Sequence, residues 1–254
     1  AASYDKYKGD KNHAFWYFDK EMADATEKYY ANERGKTEQY IGFEQKGKLI
    51  TFNPKSHVRM SPSFQPEADG VTFHLKAVYT DTLRNEYSKE HSTHPIRMSR
   101  ICGPVEVVND TTFTVRFYRM GLDNPKRTGG ICLMASVKQD HKYRSAVQQV
   151  EIRIPYRNKE GIPQRIIFPK LSDVKASVKE ISLNGTADSG LPVYYYVKEG
   201  PAEIKGDKLV LTKIPPRAKF PVKVTVVAWQ YGRSGEPKVQ TAEAVEQSFY
   251  ITAR

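Results

Sequence analysis

From about residue 38 onward the chain alternates apolar and polar residues with a period of two, and this limits the fold more than any other feature. "GVTFHLKAVYTD" sets Val71, Phe73, Leu75, Ala77 and Tyr79 on one side of an extended strand, with Thr72, His74, Lys76 and Val78 on the other. "TTFTVRFYRM" opposes Phe113, Val115 and Phe117 to Thr114, Arg116 and Tyr118, and "VQQVEIRIPY" continues with Val150, Ile152 and Ile154. Shorter candidates near 39–44, 47–52, 104–108 and 130–137, with turns at "QKGK", "VNDT" and "KRTGG", bring the total to about seven strands. Such spacing predicts an antiparallel β-sandwich.

Two stretches leave this rhythm. "HAFWYFDKEMADATEKYYANERGK", residues 13–36, has no Gly or Pro before Gly35 and repeats Phe15, Phe18, Met22, Ala25 and Tyr29 at helical spacing. It predicts a helix over about 14–34 whose stripe needs a partner, either the β-domain that follows or an upstream catalytic domain. "LRNEYSKEHSTHPIRMSR", residues 83–100, is polar and unperiodic and reads as an excursion loop, the kind of segment that often carries function. Prolines then thicken in "IPYRNKEGIPQRIIF", which suits a connection between domains. The reading divides the chain into an N-terminal segment (1–37), a β-sandwich (38–163) and a second sandwich (164–254).

Composition excludes several classes. A mean hydropathy of -0.62 and the lack of any apolar run near 18 residues exclude a helical membrane span and a signal-peptide core. The start "AASYDKYKGDKNH" reads as a processed or cut end, which fits export. The net charge is +11, and both parts contribute: residues 166–254 hold 13 basic and 9 acidic residues, the earlier part 27 and 20. A dispersed excess favours polyanions in general without choosing one. Cys102 and Cys132 each lie in a short apolar run that reads as a strand, so one disulfide between neighbouring strands and two buried thiols both remain open.

The remainder contains "RIIFPKL", then "LNGTADSGLPVYYYVKEGPAEIKGDKLVLT", a Val-rich strand and a final "SFYIT". These elements, above all Ser-Gly-Leu-Pro-Val and Gly-Pro-Ala, resemble the bacterial immunoglobulin-like modules of exported and cell-surface proteins over about 90 residues. The resemblance implies a β-sandwich and a secreted, periplasmic or cell-surface location, and it implies no ligand. It departs from that pattern in "KIPPRAKFP" and "WQYGRSGEPKVQTAEAVEQ", extra length of the kind that forms binding loops at sandwich ends.

Phase sorts the aromatics of this region. Val193, Tyr195 and Val197 alternate inward, as do Val222, Val224, Val226 and Ala228, which turns Tyr194, Tyr196, Trp229 and Tyr231 outward. With Arg233 these form a candidate stacking platform for sugar rings, whose apolar C–H faces suit flat aromatics while their hydroxyls need polar groups at the rim. Burial against the first domain is the competing reading of the same residues.

No sequence motif names a reaction. His91, His94, Arg97 and Arg100 mark a possible site on the 83–100 loop, and the spacing lacks the His-Glu-x-x-His pattern of a zinc site, so no metal and no cofactor is expected. Asp69, Asp81, Glu106 and Glu151 would serve a glycosidase only if the fold brought two together. Nucleic acid is not an expected partner, because no recognition helix or basic-aromatic stripe is present. The expectation is a mainly β, two-sandwich, non-catalytic ancillary region of an exported bacterial polysaccharide-processing protein, docking or attaching to an acidic or neutral polysaccharide. A glycoside hydrolase or lyase on the first sandwich, and a structural or adhesion spacer, are the alternatives.

Overall fold

The computed structural model describes residues 35–51, 62–81, 85–117 and 128–253, together with Asp24, Ala25 and Lys28. The helix expected over 14–34 lies almost wholly outside them; its three described positions are helical and exposed. Among the described residues every further regular element is a strand.

The N-terminal half contains β1 (Tyr40–Gln45), β2 (Lys48–Ile50), β3 (Thr72–His74), β4 (Lys76–Asp81), β5 (Glu86–Tyr87), β6 (Arg97–Cys102), β7 (Val105–Val107), β8 (Thr112–Val115), β9 (Thr128–Val137) and β10 (Ala146–Pro155). They pair as β2-β1-β4-β5, β10-β9-β6 and β3-β8-β7, all antiparallel. The expected inward residues Phe113, Val115, Phe117, Val150, Ile152 and Ile154 are all buried in one cluster.

Three local expectations are corrected. The single strand expected through 71–79 is two strands in two sheets: Val71, Phe73 and Leu75 are buried, but the phase then slips, so that Val78 and Thr80 are buried and Ala77 and Tyr79 only half-buried. A chain passing from one sheet to another must rotate its pleat, and alternation cannot show where. The 83–100 loop contains β5 and most of β6, because Arg97–Arg100 pair with β9 even though Met98 is the only one of the four that is apolar. "KRTGG" is no turn at its described end, since β9 starts at Thr128. Gly129 there lets the Tyr156 ring lie on the strand where a side chain would collide.

The C-terminal half contains β11 (Ile166–Ile167), β12 (Val174–Lys175), β13 (Glu180–Ser182), β14 (Thr186–Ala187), β15 (Tyr194–Glu199), β16 (Ala202–Lys205), β17 (Lys208–Leu211), β18 (Val222–Trp229) and β19 (Val245–Thr252). Its main sheets, β12-β19-β18-β15 and β13-β17-β16, face each other across a second buried cluster that includes Leu209, Val224, Val226, Ala228, Phe249 and Ile251. The β12–β19 pair is parallel, an exception to the expected antiparallel pairing. Tyr195 points inward as its phase requires, packing 5.4 Å from Phe168, and its hydroxyl accepts the Gly185 N–H at 2.6 Å and donates to the Leu183 carbonyl at 3.2 Å.

The seam between the halves as candidate functional site

Strand β18 serves two cores at once. Val224, Val226 and Ala228 fill the C-terminal cluster, while Val227, Trp229 and, just beyond the strand, Tyr231 belong to the N-terminal cluster with Tyr196 of β15. Trp229 and Tyr231 are 0% exposed and Tyr196 7%. Phe117 sits at the centre, 5.2 Å from Trp229 at 87° and 5.4 Å from Tyr231, with Phe64 edge-on to Tyr231 at 6.3 Å. Edge-to-face rings at such spacings add to the energy of burying their area.

The aromatics predicted to face outward do turn away from their own core, and the other half covers them. Trp229 and Tyr231 leave no ring face for a sugar. Tyr194 is half-buried, but Trp229 lies 5.0 Å from its ring and the Arg116 guanidinium 4.7 Å over it. The open platform formed by Tyr194, Tyr196, Trp229 and Tyr231 is therefore absent from this arrangement, for the physical reason that large apolar surface on one half meets large apolar surface on the other.

Polar clamps fix the same seam. The Tyr231 hydroxyl donates to the Pro155 carbonyl, and Asn158 donates through Nδ2 to the Tyr231 carbonyl at 2.9 Å. Burial pushes the Tyr231 phenol far above its ordinary value. Arg233, the fifth platform residue, instead donates to the Pro237 carbonyl at 2.8 Å and across the seam to the Ala68 carbonyl at 3.1 Å. Gly70 adopts φ 76° with its Cα against the Gly232 carbonyl, where any Cβ would overlap backbone. The extra length in "WQYGRSGEPKVQTAEAVEQ" thus supplies much of the clamp: Ile162 donates its N–H to the Lys238 carbonyl and accepts the Gln240 N–H, while the Thr241 N–H donates to the Asn158 carbonyl and its hydroxyl accepts the Asn158 N–H.

Beside the clamp the halves leave a cleft of about 610 Å³. Its floor includes Phe117, Tyr194 and Tyr196, and its rim Glu106, Arg116, Glu203 and Lys205. The rim charges come as two pairs, Arg116 Nε to Glu106 Oε2 at 3.1 Å and Lys205 Nζ to Glu203 Oε1 at 2.9 Å. Burial, reinforced by the charge of Asp69, raises the Tyr194 phenol, and Arg116 opposes that shift. Sequence reasoning missed this site because Glu106 comes from β7 and Arg116 from just after β8, far along the chain from β15 and β16.

The residues named on the 83–100 loop do not converge. His91 stacks on Tyr79, centroids 4.1 Å apart and 8° from parallel, while the Tyr79 hydroxyl donates to the His94 carbonyl at 2.7 Å. Arg97 pairs with Asp110 at 2.7 Å, and Arg100 Nε donates to the Gly103 carbonyl at 3.0 Å. Ser92 is the buried anchor of the loop. Its hydroxyl accepts the His94 N–H and bonds the Asp140 carboxylate, which that bond and the Tyr143 and Lys142 N–H groups hold at about 2. The weighed carboxylates are also dispersed: Asp69 caps the turn before β3, Glu106 pairs with Arg116, Glu151 with Arg153 at 3.6 Å, and Asp81 ends β4 opposite Glu86. Among the described residues, the carboxylates with shifted ionisation, Glu90, Asp110, Asp140, Glu160 and Glu199, are shifted downward by cations or hydrogen-bond donors, the opposite of what a general acid needs. Among the described residues no group of three His, Cys, Asp or Glu side chains is placed to hold a metal ion, and no helix is long and apolar enough to cross a membrane.

No protein-family model matches the chain, and no curated protein matches it either. Solved cadherin repeats are distantly similar. Human protocadherin-24 EC1-2 is 13% identical with a TM-score of 0.29, over 76% of this chain and 94% of that one. Drosophila N-cadherin EC1-4 is 12% identical at 0.27, over 77% and 48%, and mouse cadherin-23 EC22-24 is 17% identical at 0.26, over 85% and 65%. The architecture described above rests on the strand pairing of this chain itself.

Proposed function

We propose that this chain is a non-catalytic β module of an exported bacterial protein, and that its two halves work as one rigid body that spaces and docks neighbouring parts. The seam carries this reading. A flexible tandem keeps polar surface between its sandwiches, whereas here residues of the C-terminal half complete the N-terminal core. Pulsed electron spin resonance between spin labels on β2 and β16 tests the rigidity: one narrow distance distribution supports it, and a broad distribution in the folded protein rejects it.

A second reading is favoured by the cleft. Its half-buried Tyr194 and paired rim charges set an apolar ring edge beside donors and acceptors, the chemistry that holds a polysaccharide segment. Migration through native gels containing neutral and acidic polysaccharides tests it. Retardation by one glycan, weakened several-fold by Glu203→Ala and Lys205→Ala at the exposed rim, supports attachment there. Retardation that both variants leave unchanged places any glycan elsewhere, and free passage through every gel leaves the spacer reading alone.

A further inference from the structure

The register of β6 against β9 sets Cys102 directly opposite Cys132. This pairing depends on a bulge. Arg100 opposes Leu133, so a regular ladder would bring Ile101 opposite Cys132; the irregularity between Arg100 and Cys102 skips Ile101, which is left exposed, and delivers the second cysteine to the first. Both residues carry thiols, Cys102 exposed and Cys132 half-buried.

From this geometry we infer that Cys102 and Cys132 are a dithiol modification site, closed by a small-molecule or protein disulfide oxidant into a cross-strand bond. Directly opposed residues of an antiparallel pair have Cα atoms roughly 4.5–5.5 Å apart, inside the roughly 4.4–6.8 Å span of disulfides. Closure therefore needs side-chain rotation and little backbone movement. The backbone around the pair is held as well. Gly103 adopts φ 97° with its Cα packed on the Gly130 carbonyl and the Ile131 Cα, so only a residue without Cβ fits there. The Arg100 guanidinium bridges the bulge to the Gly103 carbonyl.

Exposure sets the order of events. The Cys102 thiolate attacks one sulfur of the oxidant and releases its first thiol, leaving a mixed disulfide on Cys102. The Cys132 thiolate then attacks the Cys102 sulfur and releases the second. Two cysteine thiols lose two electrons and two protons, and the oxidant leaves as two thiols. The bond lies on the face of β9 turned away from Ile131 and Leu133, so it staples the sheet without entering the core.

The test uses the full chain in its native state. Incubation with oxidised glutathione, followed by intact mass, thiol titration and peptide mapping, is expected to show both thiols consumed, a mass lower by two hydrogens and a linked pair of peptides around residues 102 and 132. The oxidised protein should melt at least about 5 °C higher and return on adding dithiothreitol, since the link constrains the unfolded chain. Cys132→Ser should stop at one glutathione adduct. Because the decisive oxidation is done on the unmutated chain, a poorly folding variant does not decide the test. A stable glutathione adduct on the unmutated chain, a dimer linked through Cys102, or two thiols that resist oxidation while the protein stays folded would each overturn the inference.

Discussion

The two buried clusters are built on different terms. The N-terminal cluster sets Phe43, Phe73, Phe113 and Phe117 among its aliphatic residues, and it is incomplete without Tyr196, Val227, Trp229 and Tyr231 from the other half. The C-terminal cluster is mainly aliphatic, and every residue in it lies at or after Ile166. One half borrows part of its core and the other is self-contained. A seam of this kind therefore belongs to the folding of the first half, and it acts as more than a contact between two finished domains.

Separating the halves should break the comparison most sharply. Residues 35–163 produced alone are expected to lose cooperative unfolding, whereas residues 164–254 alone should fold with Trp229 newly exposed, read as a red-shifted emission and self-association. A cooperative N-terminal fragment as stable as the whole would refute the borrowed core. Next in size, Trp229→Ala should cost about 3–5 kcal/mol in denaturant unfolding, as much as Phe249→Ala in the self-contained core. An effect under about 1 kcal/mol at Trp229 would show the seam to be superficial.

Gly70→Ala comes third. It forces a Cβ onto the Gly232 backbone at a left-handed φ, so about 1–3 kcal/mol should be lost, with faster amide exchange across the seam and little change in β13, β16 and β17. The smallest effect at neutral pH is Tyr231→Phe, which removes a hydrogen bond to Pro155 for about 1 kcal/mol. Its sharper signature is in alkali. The folded phenol is raised above the unfolded value of about 10, so the neutral phenol's contribution is complete below about pH 10 and declines as pH rises further. Wild-type stability should fall above that pH, and the Phe variant should lose this part of the slope. Identical slopes would mean that the phenol is not buried in solution.

Much of this was legible from alternation. Val150, Ile152 and Ile154 reach the core as their phase demands, and so does the inward set of β18. Asn109 in "VNDT" makes the expected turn, its Oδ1 accepting the Thr111 and Thr112 N–H groups. Alternation failed where the chain changes sheets between His74 and Lys76, because a strand-long period assumes one sheet. It failed again at Arg97–Arg100, where Met98 alone reaches the core and pairing with β9 makes the strand without any apolar alternation. For the candidate site, phase placed Tyr194, Tyr196, Trp229 and Tyr231 correctly away from their own core and stayed silent on what they would meet.

The sequence by itself determined a mainly β chain, the inward faces of its long strands and a surplus of aromatics on one outer face, because local periodicity and side-chain chemistry are properties of neighbouring residues. Tertiary structure alone decided that this face closes a seam, that Glu106 and Arg116 join Glu203 and Lys205 around a cleft, and that a one-residue bulge brings Cys102 to Cys132. Each of these depends on how residues distant along the chain come together, and burial of large apolar surface against equally large apolar surface favours one such arrangement over leaving both faces in water.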